Sequence, residues 1–215
     1  MIPGPDQIIS CPKCKGLAKY MTLVSGNTFG ARIWTDGKKV EPMLPIPPAI
    51  VKCRHCGECY WLAEAKEVGT VTRGEGQQIK PDWVDAEEVE QPTEEEYYQA
   101  LEGGLALTVR QERNVRVLAW WRRNDAFRDI HKEHAQDSVL GLWRKNLEAL
   151  VSLLTEDDDN DHLMRAEVLR ELGEFESAKE ILSHVNSHDV ATVVSQLRSL
   201  CDTKDASVRE LHFST

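Results

Sequence analysis

The chain has 215 residues, 41% hydrophobic and 29% charged, with a net charge of −10 and an isoelectric point near 5.2. This is the composition of an ordinary soluble globular protein, long enough for one large domain or two modest ones. No stretch approaches the ~20 apolar residues of a membrane-spanning helix. Residues 1–6 also lack a basic stretch followed by an apolar one, so the reducing cytoplasm is the expected compartment.

The charge is divided along the chain. Residues 1–66 carry nine Lys/Arg against five Asp/Glu, and residues 67–215 carry 17 against 31. Opposite signs on the two segments suggest two domains that attract each other or meet different partners.

In chain order, residues 1–10 read as a loose lead-in. Cys11-Pro12-Lys13-Cys14 follows, with Gly16 two residues on. Residues 17–24 are rich in aromatic and β-branched types and predict a strand. Ser25-Gly26-Asn27 marks a turn. Residues 28–35 predict a second strand, and Asp36-Gly37 a hairpin that returns over 38–41. The proline-rich run 42–48 must be extended and cannot be a central strand. A short strand at 49–51 enters Cys53-Arg54-His55-Cys56-Gly57, and another at 60–62 leaves it.

Residues 67–92 read as a flexible acidic connector, with seven acids between 85 and 96. Thr93-Glu94-Glu95-Glu96 has the form of a capping box, opening a helix that stops at Gly103-Gly104. Further helices are expected over 108–123, 137–155, 162–172, 174–185 and 188–201. In the second of these, 137–155, Val139, Trp143, Leu147, Leu150 and Leu154 form a helical stripe. The acidic run 156–161 lacks the glycine and final glutamate of a calcium loop, and is placed at a helix start, where negative charge meets exposed amides.

Two cysteine pairs carry the chemistry. Cys11, Cys14, Cys53 and Cys56 form a four-thiolate cage that suits zinc, with iron the less favoured alternative. With all four positions filled by protein, no place is open for a catalytic water. The metal would also support a segment of ~55 residues, which is small for an independent core. Both knuckles resemble those of zinc-ribbon and rubredoxin-type proteins over residues 9–64. Residues 166–182, with Ala166, Gly173, Phe175 and Ala178, look like one tetratricopeptide repeat. That resemblance implies two antiparallel helices crossing on small side chains.

Cys59 is either an accessory thiol beside the metal or an ordinary strand residue. His131-Lys132-Glu133-His134 has the wrong spacing for a zinc protease. Arg113, Arg116, Trp120 and Arg123 share a helix face, giving either a surface for a phosphate, carboxylate or planar group, or a face paired internally with the acidic connector. No phosphate-cradling loop, dinucleotide fingerprint or nucleophile elbow occurs.

The combined expectation is an α+β protein of two domains in the bacterial style. A zinc ribbon at 1–66 and a linker at 67–92 precede a tetratricopeptide-like helical domain at 93–215. The expected role is a non-catalytic adaptor for a protein or peptide. The rivals are nucleic-acid binding through Lys13, Lys15, Lys38, Lys39, Lys52 and Arg54, and thiol-based sensing through Cys59.

Overall fold

The computed structural model describes residues 1–72, 80–128, 140–155 and 158–213, with backbone only at Leu140. The protein is α+β and divides into two compact units. One comprises Met1–Ala31 and Glu41–Leu105, the other Arg32–Val40 and Ala106–Thr215. The helical unit is therefore discontinuous, since it takes a hairpin from the stretch between the two cysteine pairs.

In the first unit, β1 (Ile2–Ser10) and β2 (Leu17–Ser25) form an antiparallel hairpin around the first cysteine pair. The lead-in expected at 1–10 is thus a strand. Pro3 and Pro5 are tolerated because the β1–β2 register is irregular between Ile2 and Asp6. Ile8 and Ile9 anchor it, at 0% and 1% exposure. Downstream, and counting past a two-strand hairpin that belongs to the other unit (β3, Arg32–Ile33; β4, Lys39–Val40), β5 (Ile50–Lys52) pairs with β6 (Cys59–Trp61) around the second cysteine pair.

The expected flexible connector is built into this unit. β7 (Lys66–Val71) pairs antiparallel with β1, and β8 (Glu87–Glu88) pairs parallel with β2, giving the sheet order β7-β1-β2-β8. Between them the short helix α1 (Pro81–Val84) brings Trp83 onto Gly69. A Cβ at Gly69 would lie 2.1 Å from the indole, so only glycine permits that approach. Composition alone suggested a solvated linker. Pairing of its acids with nearby cations, Arg54 to Glu87 at 3.0 Å and to Glu90 at 3.5 Å, offsets the charge that would otherwise keep it extended.

Helix α2 (Glu94–Glu102) begins with the expected capping box, Thr93 and Glu96 each bonding the other's backbone amide. It belongs to the first unit rather than opening the helical one. Tyr97 and Tyr98 are buried. Trp61 Nε1 donates to Leu105 O at 3.1 Å, and Lys52 pairs with Glu96.

The helical unit contains α3 (Val109–Arg128), α4 (Leu140–Ser152), α5 (Asp159–Glu171), α6 (Phe175–Ser183) and α7 (Ala191–Asp202). Leu147, Leu150 and Leu154 of the expected stripe pack with Val117, Trp120 and Val168. The start expected at 137 and Val139 lie outside the described residues, as does the 131–134 histidine motif. Helix α3 runs past the expected stop at Asn124-Asp125. Both residues are held by tertiary bonds, which override their tendency to end helices. Asn124 Nδ2 donates to Asp36 Oδ2 and Glu171 Oε1, both at 2.9 Å, and Asp125 accepts from Lys38 and Arg128.

Helices α5 and α6 form a hairpin. Gly173 turns it at φ +84°, and Ala166 and Ala178 are buried at 1% and 0% exposure. The described part of the acidic run, 158–161, is consumed structurally. Asp158 caps Asn160 N, Asp159 accepts from Ser187 N, and buried Asp161 binds Arg113 and Thr155.

The β3–β4 hairpin inserts its tip among these helices. Gly37 takes φ +79° in the turn. Thr35 N donates to Arg209 O and Leu211 N to Ile33 O, each at 2.8 Å. Asp36 is 2% exposed and accepts from Asn124 and Arg128, while Trp121 Nε1 donates to its carbonyl at 2.9 Å. Asp36→Ala removes an acceptor of Asn124 and one of the two carboxylates that hold the buried Arg128 guanidinium. It is expected to destabilise the helical transition by about 3 kcal/mol or more, measured by urea unfolding followed at a helix signal. An unchanged midpoint would show that the tip is not a structural bond.

Candidate metal centre

Each cysteine pair is a tight knuckle at the mouth of a strand hairpin. In the first, Lys15 N donates to Cys11 O at 3.1 Å and Cys11 N to Gly16 O at 2.9 Å. In the second, Gly57 N donates to Cys53 O at 2.8 Å and Cys53 N to Glu58 O at 2.9 Å. Left-handed backbone follows the second cysteine of each, Lys15 at φ 66° and Gly57 at φ 74°. Lysine therefore fills the position that glycine takes in the other knuckle, at a local steric cost. Gly16 has a different role, because a Cβ there would lie 2.3 Å from the His55 ring. His55 thus packs across the first knuckle, and its Nε2 lies 3.3 Å from Leu17 O.

The knuckles bring the four sulfurs of Cys11, Cys14, Cys53 and Cys56 within 4.8 Å of one another. Cys11 and Cys56 Sγ are 3.9 Å apart, and Cys14 and Cys53 Sγ 3.6 Å. A regular tetrahedron with metal–sulfur bonds of about 2.3 Å has edges of about 3.8 Å. The sulfurs are far beyond the ~2.05 Å of a disulfide, and all the cysteines are free. The donor set therefore fits a metal ion, and four protein sulfurs close its coordination.

Inner and outer sulfurs differ. Cys11 and Cys53 are buried beside Val51 and Tyr60, while Cys14 and Cys56 face outward. The Gly16 amide, 3.4 Å from Cys14 Sγ, draws that thiol down to about 7. Burial pushes Cys53 up to about 12. A bound cation would have to displace the Cys53 proton, so metal retention should weaken as pH falls.

Cys59 sits half-buried on β6, outside the four-sulfur cluster. Burial, with Glu96 nearby, pushes its thiol up to about 11, which suppresses the thiolate that sensing chemistry requires.

The arginine–tryptophan face, read as either a ligand surface or an internally paired face, is largely internal. Trp120 is fully buried, and its Nε1 donates to Glu171 Oε2 at 2.8 Å. Arg113 pairs with Asp161, Arg116 with Glu112, and Arg123 is 7% exposed over the Trp143 ring. Its acids come from the helical unit rather than from the connector. The buried polar group of Asp36, Glu167, Arg170 and Glu171 was not anticipated. Asp36 reads as a turn residue, and nothing in the spacing of the others marks them.

Comparison with family profiles, curated proteins and solved structures gave no match. Among the described residues, no helix is long and apolar enough to cross a membrane.

In metal-free protein, alkylation should reach Cys14 first, at a rate rising as pH passes about 7, while Cys53 and Cys59 lag. Loaded protein should be protected at all four cage positions. Peptide mass mapping reads both, and equal labelling of loaded and metal-free protein would contradict the cage.

Proposed function

We propose that the protein is a non-catalytic zinc-containing scaffold, with a structural zinc ribbon in the first unit and a helical unit that holds a protein or peptide partner. The observation that carries the zinc reading is the set of sulfur–sulfur separations of 3.6 and 3.9 Å, which match a closed tetrathiolate site. Zinc is favoured over iron because a tetrahedral site closed by four cysteines is typical of structural zinc.

The scaffold reading draws support from the α5–α6 hairpin, whose small crossing residues resemble a tetratricopeptide repeat. Exposed Leu107 and Val109 at the start of α3, at 82% and 65% exposure, give it an apolar contact point. Nucleic-acid binding is less favoured. Lys13, Lys38, Lys52 and Arg54 are already paired with Glu58, Asp125, Glu96 and Glu87, which lowers the charge available to phosphates. Sensing through Cys59 is disfavoured by its raised thiol.

Elemental analysis of protein purified without added metal should find one zinc per chain, and Cys53→Ser should lose it. Iron, or no metal, would contradict the zinc assignment. A photoreactive residue at position 107 of the full-length protein, in its native cells, should give a discrete cross-linked partner that Val109→Asp abolishes. A cross-link that survives Val109→Asp, or none at all, would contradict the scaffold reading.

A further inference from the structure

The helical unit takes one piece of its structure from within the chain of the first. The β3–β4 hairpin lies between Cys14 and Cys53, with residues of the first unit on both sides of it, yet it belongs to the second. Its strands, Arg32–Ile33 and Lys39–Val40, pair over two residues each. A two-stranded ladder that short does not hold itself together in water, so the hairpin depends on what its tip bonds.

Those bonds are buried and lead to two places. Thr35 and Asp36 are 7% and 2% exposed. Toward α3, Asp36 accepts from Asn124 and Arg128 through its carboxylate and from Trp121 through its carbonyl, and Lys38 pairs with Asp125 at 2.6 Å. Toward the C-terminal segment, Thr35 Oγ1 accepts from Arg209 N at 3.0 Å, and Leu211 N donates to Ile33 O at 2.8 Å. The last turns of α3 and residues 209–211 therefore rely on a hairpin that neither contains. Its departure would leave buried donors of Trp121 and Asn124 short of an acceptor.

How readily the hairpin docks is set by the chain that carries it, and the four cysteines bracket that chain. With one ion held by all four sulfurs, residues 15–52 form a closed loop, and much of the freedom of the hairpin is already lost before it docks. With the cage empty, the first unit keeps only its small apolar core, and docking must bear more of the ordering cost itself. Two events that each favour the other are thermodynamically coupled, and the coupling is reciprocal.

We propose that metal occupancy of the cage is transmitted to the helical unit through β3–β4, so that loss of the ion loosens the last turns of α3 and the C-terminal segment. This rests on the zinc reading of the four cysteines. It gives the ion a second role, as a determinant of stability in a unit that supplies none of its ligands.

The test is peptide-resolved hydrogen exchange of the full-length protein, zinc-loaded and then stripped by a chelator under reducing conditions. Stripping should speed exchange at 32–40, 119–128 and 207–212 by roughly tenfold or more. Helix α6, which makes none of the bonds above, should change much less. Asp36→Ala loosens the hairpin beforehand, so in that variant zinc removal should change exchange at 119–128 far less than in the natural sequence. Trp121→Phe, which removes a single donor to the hairpin, serves the same purpose should Asp36→Ala fail to fold. Unchanged exchange at 32–40 and 119–128 in protein shown to have lost its zinc would overturn the coupling and leave the zinc reading standing. An equal response in the natural sequence and the variant would also overturn it, since the route would then bypass the hairpin. Protein that never binds zinc would overturn both.

Discussion

The first unit depends on one constraint, the convergence of four sulfurs from two knuckles separated by 38 residues of chain. Strand pairing closes each knuckle at the mouth of its own hairpin, the two hairpins lying in separate sheets. It does not by itself explain why four thiols should crowd together, two of them buried. Thiols offer one another only weak hydrogen bonds, and burial disfavours their ionisation. A cation shared by all four would turn this crowding into coordination. It would also close the long intervening loop, lowering the entropy of the unfolded chain and so stabilising the fold. Metal coordination would thereby add to the limited apolar core of Ile8, Ile9, Ile50, Val51 and Tyr60.

The helical unit is organised differently. Its core is apolar, built on Trp120, Leu147, Leu150 and Val168, but a layer of buried ion pairs and amides lies beside it. Arg170 is fully buried, paired with Glu167 and donating to the carbonyls of Asp205 and Ser207. Such a network seldom adds much net stability over apolar packing. Breaking it from one side is costly, because the remaining charge is left in a medium that solvates it poorly. It therefore fixes which segments belong together, and it explains how a hairpin contributed from between the cysteine pairs becomes an integral part of the helical unit.

Much of this was legible in the sequence for identifiable reasons. The cage was legible because two Cys-x-x-Cys pairs are a spacing pattern that suits a shared metal ion. The capping box at Thr93 and the leucine stripe of α4 were legible because both are local patterns read over one to four helical turns. The strand at 2–10 was not, since Pro3 and Pro5 argue against a strand unless the register can shift around them. The ordered course of 66–71 and 80–90 was hidden because acidic composition reports solvation, whereas pairing with β1, β2 and Arg54 is decided by distant residues. The placement of Asp36 was hidden for the same reason. An aspartate before glycine is a turn signal whether its carboxylate faces water or, as here, Arg128 and Asn124.

The account rests on coordinated sulfur, and X-ray absorption at the metal edge of protein purified without added metal tests that most directly. It predicts a single shell of four sulfurs at about 2.3 Å around zinc, with no oxygen or nitrogen neighbour. A shell containing oxygen or nitrogen, or the absence of a stoichiometric metal from protein that keeps its β-sheet signal, would contradict it.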